Sequence, residues 1–345
     1  MGTKQYDSAT DLITFSRASS ATFLGSNGLL QTAANNVPRI EYDATGAVKG
    51  LLIEEARTNL VTSSGDVTGT GWTTDLSAGT VTAGSPFGTY QTMSPTSTGT
   101  GSNGAKVYQI GKTLTSGATY VVSALVKYSA GSGWFVVMPY DTSGTGTHSA
   151  WFDLQNGVVG SKDTNIIDYG MIDYGDGWWF CYVSKNASST SGGINLGVTT
   201  GDNATDGNSG DVILIAGSQF ELGAFPTSYI PTTGAAATRA RDLAEIPTSA
   251  FGYNNDKGSL VIDVLTPVVD QLMPFVHFNT NSYFNSRALW KSNSVITTLG
   301  NYFASQTHDG ATTKFTLGQQ TQAVYAKLGL SYGDNESGVK DGGTV

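Results

Sequence analysis

The chain has 345 residues and a formal net charge of −9, with 39% hydrophobic residues, 44 glycines and only 13% charged residues. Charge this sparse, against roughly 25% in an average soluble protein, combines with scarce helix formers and frequent turn residues to exclude a helical bundle and predict layered antiparallel sheets. The acidic balance, with 18 lysines and arginines spread thinly, argues against a nucleic-acid partner, and one cysteine, Cys181, excludes an internal disulfide framework. Residues 1–62 read as an extended lead-in. Its start, MGTKQYDSATDLITFSRASS, lacks the basic stretch and apolar core of a signal peptide, and no run of ~18 apolar residues predicts membrane insertion. Within the lead-in, RIEYDATGAVKGLLIEE predicts a hairpin, because Asp-Ala-Thr-Gly separates two apolar runs and the glycine can supply a positive φ.

Residues 63–235 form a train of short strands punctuated by Gly, Ser, Asn and Asp, the spacing of a β-sandwich. In TYVVSALVKYS the alternation puts Tyr120, Val122, Ala124 and Val126 on one face, and Val121, Ser123, Leu125 and Lys127 on the other. WFVVMPY, HSAWFDL, GWWFCYV, INLGVTT and DVILIAGSQFEL follow. In GWWFCYV, Trp179, Cys181 and Val183 share one face, which the cysteine marks as core, and Trp178, Phe180 and Tyr182 share the other. GDNATDGNSGD, residues 201–211, reads as a surface loop, and residues 236–256 as a linker. From residue 257 a second strand train begins with GSLVIDVLTP. It runs to 345 as an incomplete second sandwich, and its last segment, GVKDGGTV, leaves a strand edge without a returning partner.

Three segments carry a resemblance: ITFSRASSATF with RIEYDATGAVKGLLIEEARTNLV; FDLQNGVV with YGDGWWFCYVS; and AGSQFELGAFPTSYIPTTGAAATRARD. In this order the chain resembles phage tail and fibre proteins and related prophage or gene-transfer-particle proteins. The resemblance implies an all-β fold: an antiparallel jelly-roll β-sandwich like a carbohydrate-binding module, followed by a second, partial concanavalin-A-like or laminin-G-like β-sandwich. It also implies a virion protein, in a tail or surface fibre, that attaches to host-surface polysaccharide, docks on other tail proteins and assembles as a homotrimer. Phe180 departs from the pattern, standing where the family tends to have arginine and adding apolar area.

Sugar recognition by a sandwich needs rings that stack on pyranose C–H faces. Trp134, Tyr140 and Trp151 are the candidates, since Trp134 and Tyr140 share a face with Val136 and Met138, and Trp151 shares one with Asp153; the competing reading places all three in the core. Asp202, Asp206, Asn208 and Asp211 lie in a Gly-rich loop of the kind that supplies oxygen ligands to a structural calcium, the competing reading being a solvated loop. No other cofactor is expected. His148, His277 and His308 are far apart in sequence, and adjacent Glu54 and Glu55 point to opposite faces of an extended chain, toward ion pairs with Arg57 or Arg39 rather than a shared scissile bond. No nucleophile elbow, zinc-protease pair or phosphate loop is found, so the chain reads as non-enzymatic. Two rival readings are a purely architectural docking protein and a polysaccharide-degrading tail enzyme.

Overall fold

A computed structural model describes residues 12–74, 76–78, 82–83, 89–95, 105–141, 148–247, 250, 258–266, 273–278, 287–292, 301–306, 317–320, 324–333 and 336–341, with side chains for 12–74, 91–93, 106–141, 148–247 and 250. The elements found among them are β-strands, paired antiparallel. No helix among the described residues is long and apolar enough to cross a membrane. The chain divides into two compact units, one spanning Asp7–Glu245 and the other built from Ile246–Val345.

The first unit opens with six short strands: β1 (Thr14–Ser16), β2 (Ala21–Leu24), β3 (Leu30–Ala33), β4 (Ile40–Tyr42), β5 (Val48–Leu51) and β6 (Arg57–Asn59). The expected hairpin is β4–β5: Asp43 Oδ1 accepts from the amides of Thr45 and Ala47, and Gly46 adopts φ +82°. Then come β7 (Thr73–Thr74), β8 (Leu76–Ala78), β9 (Thr82–Ala83), β10 (Thr89–Pro95), β11 (Ala105–Thr113), β12 (Thr119–Ala130), β13 (Trp134–Asp141) and β14 (Ala150–Asp153). The series continues with β15 (Val158–Lys162), β16 (Ile166–Asp173), β17 (Trp178–Asn186), β18 (Ser191–Thr199), β19 (Val212–Leu222), β20 (Ala237–Arg239) and β21 (Leu243–Glu245).

Two large sheets result. One runs β16-β17-β12-β19-β10-β8, with β9 paired to β10; the other runs β15-β14-β13-β18-β11-β7. Successive long strands cross between them, so β10, β12, β17 and β19 belong to the first, and β11, β13, β14 and β18 to the second. A single buried cluster joins the sheets, drawing Val122, Ala124, Val126, Cys181, Val183 and Phe220 from the first and Val107, Phe135, Val137, Phe152, Ile194 and Leu196 from the second. The alternation in β12 and β17 falls as the sequence predicts, because burying one such side chain contributes about 1.5–3 kcal/mol and a one-residue slip would forfeit the whole face. Trp178, Phe180, Leu125 and Ala216 form a second cluster on the other face of the first sheet, so Phe180 adds apolar contact there.

The segment expected as a linker is structured over its first part. β20 pairs with β6, β21 pairs with β1, and Ser63 bridges Thr233, so residues 233–245 run antiparallel to the lead-in. The reason is electrostatic: Arg239 and Asp242, which read as linker polarity, are 1% and 7% exposed and pair with Glu54 and with Arg17 and Arg39 of the lead-in.

The second unit has β22 (Gly258–Thr266), β23 (Met273–Phe278), β24 (Arg287–Ser292), β25 (Asn301–Gln306), β26 (Leu317–Gln320), β27 (Val324–Gly333) and β28 (Glu336–Asp341). They form a three-stranded sheet, β22-β27-β28, and a four-stranded sheet, β23-β24-β25-β26. The final strand pairs with β27 on one side, through Leu330↔Val339 among others. His308 and the side chain of His277 lie outside the described residues.

Candidate functional site

The two outward faces of the first unit differ. On the seven-stranded sheet, the lead-in and residues 224–245 build a cap whose polar residues come from the first and third motif segments. Arg17 donates to Asp242 Oδ1 at 3.0 Å, Arg39 to Asp242 Oδ2 at 2.5 Å, and the Glu54 amide to the same oxygen at 2.8 Å. Glu54 in turn pairs with Arg39 at 2.8 Å and with Arg239, and accepts from Ser228; Glu55 pairs with Arg57. Arg17, Arg39 and Arg239 are each at most 1% exposed. Asn59 anchors the cap to β19, donating to the Ser218 and Ile230 carbonyls and accepting from the Phe220 amide.

Glu221 shows which effect dominates inside this cap. Its carboxyl accepts from the Thr227 amide and hydroxyl at 3.1 and 2.5 Å, bonds that favour the charged form. Burial outweighs them and pushes its pKa up to about 7. Burial does the same to Glu41, also to about 7, against the donor Leu24 N–H. These carboxyl groups are packed under chain and matched by arginines, so the arrangement holds segments together.

The outward face of the six-stranded sheet is built differently. Phe135 and Val137 point into the core, so Trp134, Val136, Met138 and Tyr140 form a row on the other side of β13. Trp151, paired with Val136 from β14, joins Val136 and Met138 in one cluster against which Trp134 packs. The structure thus brings Trp134 and Trp151 together and puts Tyr140 in line with them. Their exposures separate them. Trp151 is 4% exposed and its Nε1 donates to the Ala204 carbonyl at 2.9 Å, whereas Trp134 and Tyr140 are partly exposed.

Beside this row, Tyr108, Asn195 and Met138 stand opposite one another across β11, β18 and β13. Asn195 is 9% exposed and its Oδ1 has no hydrogen-bond partner among the described residues. An acceptor left unpaired at that depth costs about 1–3 kcal/mol. Sequence reasoning passed over Asn195 and Tyr108, although the run INLGVTT carries the signal: a lone amide between Ile194 and Leu196 must face away from the core that both enter. No protein-family model matches the chain, and no curated protein matches it.

The acidic loop ties backbone. Asp202 accepts from the Ser161 amide and hydroxyl, each at 2.7 Å. Asp211 is 4% exposed and accepts from the amides of Ser132 and Asn208; Asp206 offers its carbonyl to Thr200 N–H. No group of three or more His, Cys, Asp or Glu side chains fit to hold a metal occurs among the described residues. Asp202 fixes the loop against β15 and Asp211 fixes it against the turn between β12 and β13, and through Ala204 the loop leans on Trp151.

Proposed function

We propose that the chain is a non-enzymatic structural protein of a phage-like particle, a tail or fibre component whose first unit attaches to host-surface polysaccharide. Three lines support this reading. The motif segments resemble tail and fibre proteins. The strand order β10-β19-β12-β17 facing β11-β18-β13-β14 supports a jelly-roll reading, and sheets of three and four strands in the second unit fit the start of a concanavalin-A-like sandwich. The observation that carries the function is the asymmetry of the two faces: one lies under a cap, while the other offers Trp134 and Tyr140, partly exposed, beside the unpaired Oδ1 of Asn195.

Rings of this kind supply an apolar platform for the C–H face of a sugar, and the amide oxygen accepts from a hydroxyl that the platform positions. Trp151 backs the platform from below. A shallow face binds weakly, and several copies on a particle, in homotrimers docked to other virion proteins, convert weak contacts into firm adhesion through effective concentration.

The test is retention of the purified protein on immobilised host-surface polysaccharide. Trp134→Ala and Tyr140→Ala each lower affinity about tenfold, the equivalent of about 1.4 kcal/mol. Retention unchanged in both variants removes the platform from the account; no retention of the parent protein on any host polysaccharide favours the architectural reading, and release of new reducing ends favours the enzymatic one.

A further inference from the structure

We propose that Lys185 and Asp141 become joined by an intramolecular amide, a covalent staple between the two sheets. Asp141 ends β13 in the six-stranded sheet and Lys185 lies near the end of β17 in the seven-stranded sheet. Both point inward, in register with Val137 on one strand and with Cys181 and Val183 on the other. Their side chains are 2% and 5% exposed and in direct contact, Nζ against Oδ2.

Three features set this pair apart. First, Lys185 is the only lysine among the buried residues described; the other buried cations, Arg17, Arg39, Arg57 and Arg239, are guanidiniums, which stay charged and do not act as nucleophiles. Second, the ammonium carries three donors, yet among the described residues Asp141 is its one hydrogen-bonding partner, in surroundings made by Leu114, Tyr120, Pro139, Ala187 and Phe220. A charge pair so enclosed is costly to keep. Third, the Ser188 amide donates to Asp141 Oδ2 at 3.0 Å, where it supports negative charge growing on that oxygen when the carbon is attacked.

The step balances without any other reagent. One proton passes from the ammonium to the carboxylate, giving an amine and a carboxylic acid. The Nζ lone pair attacks Cγ, and Oδ2 takes up charge under the Ser188 N–H. The Nζ–Cγ bond forms, the Cγ–Oδ1 bond breaks, and Oδ1 leaves as water with the acid proton and one proton from nitrogen. A cavity of about 10 Å³ beside the pair has room for that one water. Both charges disappear, and an amide N–H and C=O remain.

The experiment is mass spectrometry of the denatured full chain with a tryptic map. The expected mass is one water below that of the sequence, trypsin does not cut after Lys185, and fragment spectra identify a branched peptide joining the segments of Asp141 and Lys185. Lys185→Arg keeps the charge, cannot condense, has the full mass of its own sequence, and unfolds on the order of 10 °C lower. A wild-type chain of full mass that yields the two segments as separate linear peptides overturns the proposal and leaves a buried ion pair. A mass loss mapped to another site overturns it equally. Because the decisive measurement is made on the wild-type chain, poor folding of the variant does not blunt it.

Discussion

At the scale of single residues, burial decides most of the chemistry. Glu221 is the clearest case, since its raised pKa makes the stability of the first unit depend on pH. Between the ordinary value of 4.5 and about 7, the folded chain keeps a proton that the unfolded chain has released. Its contribution is therefore complete below about pH 4.5 and lost as pH rises through about 7. Asp43 and Asp66, held below 3.8 by their hydrogen bonds, act in the opposite direction and only in stronger acid. The expected result is a melting temperature several degrees higher near pH 5 than near pH 8, with the difference roughly halved in Glu221→Gln because Glu41 carries a like shift, as thermal denaturation across pH would show. This residue was not legible beforehand: in SQFELG it reads as an ordinary surface acid, and only the cap makes it interior. Trp179, Cys181 and Val183 were legible, because alternation around a buried cysteine leaves little choice of face.

At the scale of elements, the strands followed from pattern and their company did not. β19 illustrates the limit. Its pairing with β12 skips from Leu125↔Gly217 to Val126↔Ile215, so Ala216 is an extra residue. That bulge reverses the alternation, which lets Ile213 and Ile215 face the core before it and Phe220 after it, and turns Gln219 and Glu221 toward the cap. Nothing in the composition of DVILIAGSQFEL demands the extra residue, although Ala-Gly-Ser is where a strand tolerates one. Gly223 marks the end of the same strand: with φ +146°, an added Cβ would lie 1.4 Å from Arg57 Nη1, so the arginine can cross only a glycine. Residues 233–245 were harder still, because short strands paired to a distant lead-in leave no periodic trace. Asp242 tests their role. It accepts from two buried arginines and the Glu54 amide, so Asp242→Ala leaves Arg17 without its carboxylate and Arg39 with Glu54 alone, and lowers stability by about 3–5 kcal/mol, measurable by urea denaturation. A loss under 1 kcal/mol would show that the cap is not held by this carboxylate.

At the scale of the whole molecule, the all-β class was readable from sparse charge and regular turns, and the division near residue 246 lies inside the stretch read as a linker. The aromatic platform was half legible. Trp134, Tyr140 and Trp151 were picked by alternation, but the difference between an open ring and a buried one depends on Ala204, which belongs to a loop more than fifty residues away. The compactness of Asp7–Glu245 leads to an expectation for that segment made alone: a single cooperative melt and a β-type circular dichroism spectrum, with polysaccharide retention equal to that of the full chain. Gradual, non-cooperative melting would mean that the cap and the sheets need further support.

The pairing of Thr14 with Glu245 closes the first unit on itself. Its first and last strands are neighbours on one ribbon, so the unit is a bead whose two ends lie side by side. Such a bead can be spliced into an exposed turn of an unrelated scaffold, or reopened at a different turn, without pulling its own layers apart.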